Sequence, residues 1–434
     1  MHIDLRYGKG TYRLALDPAW DVTVIRKPEM PLLADPVGAV RAALAQPVGA
    51  RPLAEEARGA KSACILVCDI TRPVPNGLFL PLLVRELMHA GIPAEGITIL
   101  VATGLHRPNE GDELAELVGD AWVMRTVRVQ NHFARNDADH VDLGATSRGT
   151  PVKLDRRFVE ADVRIATGLV EPHFMAGYSG GRKVIAPGVA HKDTITTFHS
   201  ARFMADPRAA NCVLEGNPLH EEQLEIMRKL GHALALNTVI DEHRHLSFVN
   251  FGEVVQSHLL AVDFIRRYAV VPVARKFATV VTSAAGYPLD KTYYQTVKGM
   301  VAPIDILAPG GDLLIVSECA EGMGSPEYME AQQRLLGLGP DGFLADISAK
   351  RYADIDEWQT QMQLKPMRAG RVHLYSEGLD AESTRLTGVH RIASVPEAIR
   401  ESVQRSGDAN IAVIPEGPYV VPTFRPLGHG AVLD

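Results

Sequence analysis

Four short segments of the chain bring acids, bases and cations next to residues that turn the backbone sharply. Cys68-Asp69-Ile70-Thr71-Arg72-Pro73 carries a carboxylate, a hydroxyl and a guanidinium at the end of an apolar run. The planar fork of Arg72 suits a carboxylate or a phosphate, and Asp69 is placed to orient it. Asp69 or Thr71 can equally cap a helix after Pro73. Ala102-Thr103-Gly104-Leu105-His106-Arg107-Pro108 turns off a second apolar run at Gly104. His106 then stands at a strand end, either as an acid–base group or as a solvated loop residue. The longest segment runs from Glu171-Pro172-His173 through Gly177-Tyr178-Ser179-Gly180-Gly181-Arg182-Lys183 to Pro187-Gly188. Its glycines let backbone amides approach an anion, and Arg182 and Lys183 add positive charge. It is neither a Walker loop, since Lys183 precedes Val184, nor a G-x-G-x-x-G dinucleotide fingerprint. Beyond it, Thr196-Thr197-Phe198-His199-Ser200 places another histidine on the following helix. In the fourth segment, Gly286 to Gly299, Tyr294, Gln295 and Lys298 share one helix face, which suits a carboxylate or another polar ligand. A plain amphipathic helix with a polar outer side explains the same spacing. Trp358, in Asp356-Glu357-Trp358, can cover a site or simply pack.

The elements that must position these residues alternate between short β-branched runs and amphipathic helices. That rhythm predicts an α/β fold: two α/β domains with mainly parallel sheets and an active-site cleft between them. Strands are expected at 62–68, 96–102, 127–130 and 163–167, with helices at 77–90, 110–118, 191–203 and 218–230. A hairpin is expected from 233–240 and 246–251 over the polar turn 241–245. A second unit starts near Ala274-Arg275-Lys276, with strands at 277–282, 311–317 and 371–376 and helices at 291–300 and 327–336. The expected division is 1–272, completed by the returning strand and tail at 408–434, and 273–407, because chain termini often lie close together. The segments above all fall at strand ends, where open α/β sheets place their ligands.

The 434 residues are 46% hydrophobic, ample for a buried core, and the formal charge of −7 argues against nucleic acid or an anionic membrane as main partner. The N-terminus has no signal-peptide pattern, and no stretch approaches the roughly 18 apolar residues of a membrane span. Four cysteines without a C-x-x-C pair fit a reduced, cytoplasmic protein.

Taken in order, Asp69-x-Thr71-Arg72, Thr103-Gly104-x-His106, Glu171-Pro172-His173, Gly180-Gly181-Arg182-Lys183, His199 and Gln295-x-x-Lys298 resemble the nickel-dependent lactate racemase family over about residues 60–360. The resemblance implies a nickel-pincer nucleotide, that is, nickel with pyridinium-3-thioamide-5-thiocarboxylic acid mononucleotide, attached through Lys183. Asp69, Thr71, Tyr178, Gly180 and Gly181 would help bind that cofactor, and His199 would complete the nickel coordination. His106 and His173 would be the acid–base pair. Arg72, supported by Asp69, and Lys298 would hold the substrate carboxylate, with Tyr294, Gln295 and Trp358 lining the pocket. Separate cofactor-synthesis proteins are implied as partners, alongside the small 2-hydroxy acid itself.

The chemistry suits these residues. Hydrogen at C2 of a hydroxy acid leaves more easily as hydride than as a proton, provided that a base takes the hydroxyl proton. Return to either face of the planar 2-keto acid inverts the centre, and opposite orientations call for a base on each side. No side chain accepts hydride, so an organic cofactor must. The alternatives are a sugar-acid 2-epimerase, a racemase of malate or of longer aliphatic or aryl 2-hydroxy acids, a zinc or nickel hydrolase built on the histidines, and a non-catalytic cofactor-binding homologue.

Overall fold

Runs such as Ala63–Cys68 and the second half of Leu307–Val316 are apolar at almost every position, so neither face of such a strand can be left to water. They belong in the middle of parallel sheets covered on both sides. The computed structural model, which describes residues 1–241 and 243–426, has two such sheets in two α/β units. One unit comprises Glu29–His199 and Val213–Arg267. The other comprises Met1–Pro28, Ser200–Cys212 and the chain from Tyr268 onward.

The sheet of the first unit has the order Leu246–Glu253, Leu234–Ile240, Val163–Leu169, Ala63–Cys68, Ile97–Ala102, Arg128–Asn131. All neighbours are parallel except the hairpin formed by the first two. From Ala63–Cys68 the chain steps outward through Ile97–Ala102 and Arg128–Asn131, then returns to the opposite side with Val163–Leu169. Loops leaving Cys68 and Leu169 therefore diverge, and this is the switch point at which such sheets open a crevice. Ile65, Val67, Ile99, Val101 and Leu236 pack with Phe79 and Leu83 of helix Asn76–His89. Each such burial contributes about 1.5–3 kcal/mol, enough for the core to fix where the strand ends lie.

The second sheet, also of six strands, is parallel throughout, in the order His390–Arg391, Gly370–Tyr375, Leu307–Val316, Phe277–Ser283, Asn410–Ile414, Asp21–Val24. Helix Tyr293–Val301, capped by the Thr292 side chain, and helix Glu357–Ala369 belong to this unit.

Three expectations need correction. Strand Asn410–Ile414 does not complete the first unit. It is buried between Phe277–Ser283 and Asp21–Val24, so the described tail and residues 1–28 both join the second unit. The two ends do come together, but on the other sheet, whose strands need both neighbours to cover their backbone groups. Residues 427–434 of that expectation lie outside the described residues. The helix expected at 191–203 is two, Lys192–Phe198 and Ala201–Met204, because Ser200 is extended and the chain passes between units there. The helix expected at 327–336 runs from Pro326 to Ser348 across a kink at Gly339.

One buried charge in the second sheet yields a stability test. Arg371, His373, Ser402 and Arg405 all donate to the carboxylate of Asp312. Burial alone would raise this carboxyl, but the four donors outweigh it and hold it far below the usual range. A carboxyl lowered on folding stabilises above its unfolded value near 4, and that contribution is lost as pH falls through the folded value. Asp312→Asn should lower the urea resistance of the protein by about 2–3 kcal/mol at pH 7, with the gap shrinking in strongly acid buffer. An unchanged midpoint at pH 7 would refute this reading of the cluster.

Candidate active site

The strand ends of the first unit bring three of the predicted segments into contact. Asp69, just beyond Ala63–Cys68, is buried and faces His106, which leaves Ile97–Ala102 through the Gly104 turn. Its Oδ2 lies 2.6 Å from His106 Nδ1, and its Oδ1 accepts from the Thr71 amide at 3.1 Å and from the Thr71 hydroxyl. A carboxylate at Nδ1 places the proton there and the lone pair on Nε2. Burial raises the Asp69 carboxyl, but His106, Thr71 and Arg72 outweigh it and hold it at about 2. Arg72 pairs with Glu171, which follows Val163–Leu169 across the switch point. Asp69 thus feels the charge of Arg72 while its hydrogen bonds go to His106 and Thr71, and Glu171 adds a direct ion pair to the guanidinium.

The glycine-rich segment folds back on itself. Pro172–His173 pairs antiparallel with Gly177–Tyr178, and Ser179 donates to the carbonyl of Leu169 at 2.7 Å. His173 is buried at the tip, where its Nδ1 accepts from the amides of Met175 and Ala176 at 3.4 and 3.2 Å. Those donors assign the ring proton to Nε2. The ring of Tyr178 is fully buried beside Arg266. Lys183 follows on the short helix Arg182–Ile185. Burial chiefly, then the charge of Arg72, lowers its amine to about 7. His199 caps the C-terminus of helix Lys192–Phe198 rather than lying within it. Its Nδ1 donates to the carbonyl of Ile195 at 2.9 Å, leaving the lone pair on Nε2. Burial chiefly, with the charge of Lys183, holds this ring neutral, down to about 3.

In the second unit the four predicted residues stand on two helices. Tyr294, Gln295 and Lys298 lie on Tyr293–Val301, and Trp358 lies at the start of Glu357–Ala369. Trp358 Nε1 donates to the Tyr294 hydroxyl at 3.3 Å, and Gln359 donates to the Tyr294 carbonyl. Gln295 Oε1 is buried and, among the described residues, has no hydrogen-bond partner, as expected of an acceptor waiting for a ligand.

These features fit a covalently held anionic cofactor carrying its own metal. A lysine amine lowered to about 7 is available as a nucleophile. A neutral imidazole tied down at Nδ1 is the usual form of a metal-binding histidine. Glycines at the turn let amides face an anion. Among the described residues, no group of three or more His, Cys, Asp or Glu is placed to hold a metal. Sequence reasoning missed the contacts of Glu171 with Arg72 and of His258, on helix Val254–Ala269, with Arg182. Both contacts reach 76 or more residues away in the chain, which no local pattern signals.

Fold and site together define a two-unit α/β enzyme whose polar groups converge at the carboxyl ends of parallel strands. Family models for the lactate racemase N-terminal and C-terminal domains match residues 7–211 and 273–421. A lactate racemase of Thermoanaerobacterium thermosaccharolyticum is 32% identical over 394 residues, covering 88% of this chain and 89% of that protein. One of Lactiplantibacillus plantarum is 31% identical over 386 residues, covering 88% and 90%. The lactate racemase apoprotein structure from T. thermosaccharolyticum superposes with a TM-score of 0.90 at 30% identity, over 97% of this chain and 100% of that one. A Thermotoga maritima protein at 18% identity and a TM-score of 0.65, over 90% of this chain and 98% of that one, shares the fold alone. The chain belongs to the lactate racemase family, and with it to the racemases among the isomerases.

The lowered amine gives a direct test of the site. In cofactor-free protein, acetylation of the Lys183 peptide should reach half its limiting rate near pH 7. Exposed lysines should do so near 10.4. A Lys183 profile that coincides with theirs would contradict the burial described here.

Proposed function

We propose that this protein racemises a small 2-hydroxy acid, lactate foremost, by moving hydride off C2 and back to the opposite face. The observation that carries the proposal is the meeting of His106–Asp69 and Arg72–Glu171 at one switch point, next to a lysine whose amine is lowered to about 7. Lys183 would be the attachment point of a nickel-pincer nucleotide and His199 the protein ligand of its nickel. Asp69, Thr71, Tyr178, Gly180 and Gly181 would form the surroundings. When bound, such a cofactor supplies the acceptor for the departing hydride.

The protein's own groups handle carboxylate and proton. Arg72, its fork oriented by Glu171, grips the substrate carboxylate. His106 takes the hydroxyl proton at Nε2, and Asp69 stabilises the imidazolium that forms. After hydride returns, the proton goes back to the same oxygen from the imidazolium of His106 in one orientation; in the other, His173 would play the same part, its ring charged while it holds the proton. Lys298 would hold the substrate carboxylate, and Tyr294, Gln295 and Trp358 would line the pocket. Four free cysteines suit the reducing cytosol, where separate proteins would make the cofactor. No helix among the described residues is long and apolar enough to cross a membrane.

Two measurements on cofactor-loaded protein test this. Racemisation in heavy water should leave C2 free of solvent deuterium, and His106→Ala or His173→Ala should slow turnover by about 10²-fold or more. Solvent deuterium at C2, or full activity in either variant, would end the proposal.

A further inference from the structure

Arg182 is completely buried, yet no carboxylate is among its hydrogen-bond partners in the described residues. Removing a guanidinium from water without a counter-ion is costly, so its retention calls for a use. Its Nη2 donates to the carbonyl of Ala176 at 3.2 Å, and its Nη1 lies 3.2 Å from each ring nitrogen of His258. His258, on helix Val254–Ala269, is itself buried, and its Nε2 lies 2.8 Å from the carbonyl of Ser179. A carbonyl at Nε2 places the proton there, so Nδ1 is the atom that accepts from Arg182. Burial first, then the charge of Arg182, keeps the ring neutral. A Cβ at Gly181 would come within 2.7 Å of His258 Cβ and Cγ, so the ring lies directly against the turn.

We infer that His258, held by Arg182, is a positioning residue that sets the Gly180–Gly181 turn and thereby aims Lys183 for cofactor attachment. The inference rests on the proposed role of Lys183. In a trans peptide the carbonyl and the next N–H point oppositely. Drawing the Ser179 carbonyl onto His258 therefore turns the Gly180 amide away from helix Val254–Ala269. Arg182 fixes the other end of the same loop at Ala176. Together, two buried groups contributed by neither the substrate nor the cofactor hold the backbone from 176 to 181.

The test compares His258→Leu, which removes both hydrogen bonds, with His258→Gln, whose amide can donate to Ser179 and accept from Arg182. Each is produced alongside the cofactor-synthesis proteins, next to the unaltered protein and Lys183→Ala. Peptide mass mapping reads the fraction carrying an adduct on residue 183, and circular dichroism reads the thermal midpoint. The leucine variant should load about tenfold less, and the glutamine variant should recover to within about twofold of the unaltered protein. In cofactor-free protein, acetylation of Lys183 at pH 7 should change in the same order. A leucine variant that loads normally would overturn the inference, as would a glutamine variant that fails to load at an unaltered thermal midpoint. If the leucine variant does not fold, the glutamine variant decides alone. Should the unaltered protein race through turnover with a bare Lys183, the attachment reading fails, while the acetylation comparison still reports whether His258 aims the lysine.

Discussion

At Gly177, Gly180 and Gly181 the chain runs at φ of 77°, 78° and 49°, where L side chains are disfavoured by about 1–2 kcal/mol. Space is closed to them as well: a Cβ at these positions would come within 2.3 Å of the Val213 carbonyl oxygen, 2.7 Å of Val170 Cγ2 and 2.7 Å of His258, respectively. This tight loop is the constraint on which the chemistry of the first unit depends. It presents His173 at its tip and delivers Lys183 at its end. Its anchor is Val163–Leu169, a strand whose position is set by a dry core. Moving the loop would move His173 and Lys183 together.

Around that loop the charges are sorted rather than merely neutralised. Asp69 is paired with His106, the ring proposed to carry a positive charge transiently, and Glu171 with Arg72, the fork proposed to meet the substrate carboxylate. Burial works in the opposite sense on the remaining groups. It keeps His199 neutral, which suits the metal ligand proposed there, and lowers the Lys183 amine, which suits the proposed attachment. Hydrogen bonds to backbone carbonyls or amides fix the tautomers of His173 and His199, so the two rings arrive at the site already oriented.

Much of this was legible in the residues because it is local. The run ACILVC announces a central strand, and Gly104 or the paired glycines announce the turns that follow. The hairpin of Leu234–Ile240 with Leu246–Glu253 showed itself by two apolar runs flanking a polar turn. What local pattern could not show were partners distant in sequence. Glu171 lies within the motif, but its partner Arg72 is 99 residues earlier in the chain. His258 sits in an amphipathic helix that looks like scaffold. Strand Asn410–Ile414 reads correctly as a strand, but its neighbours, Asp21–Val24 and Phe277–Ser283, are a matter of topology. The break at Ser200 lies in a sequence with no glycine or proline to signal it.

The covalent role proposed for Lys183 can be measured directly. Protein produced together with the cofactor-synthesis proteins and shown to interconvert the enantiomers of lactate should yield a Lys183 peptide heavier by the pyridinium mononucleotide, with nickel present in the intact protein. An active preparation whose Lys183 peptide has its unmodified mass would contradict it.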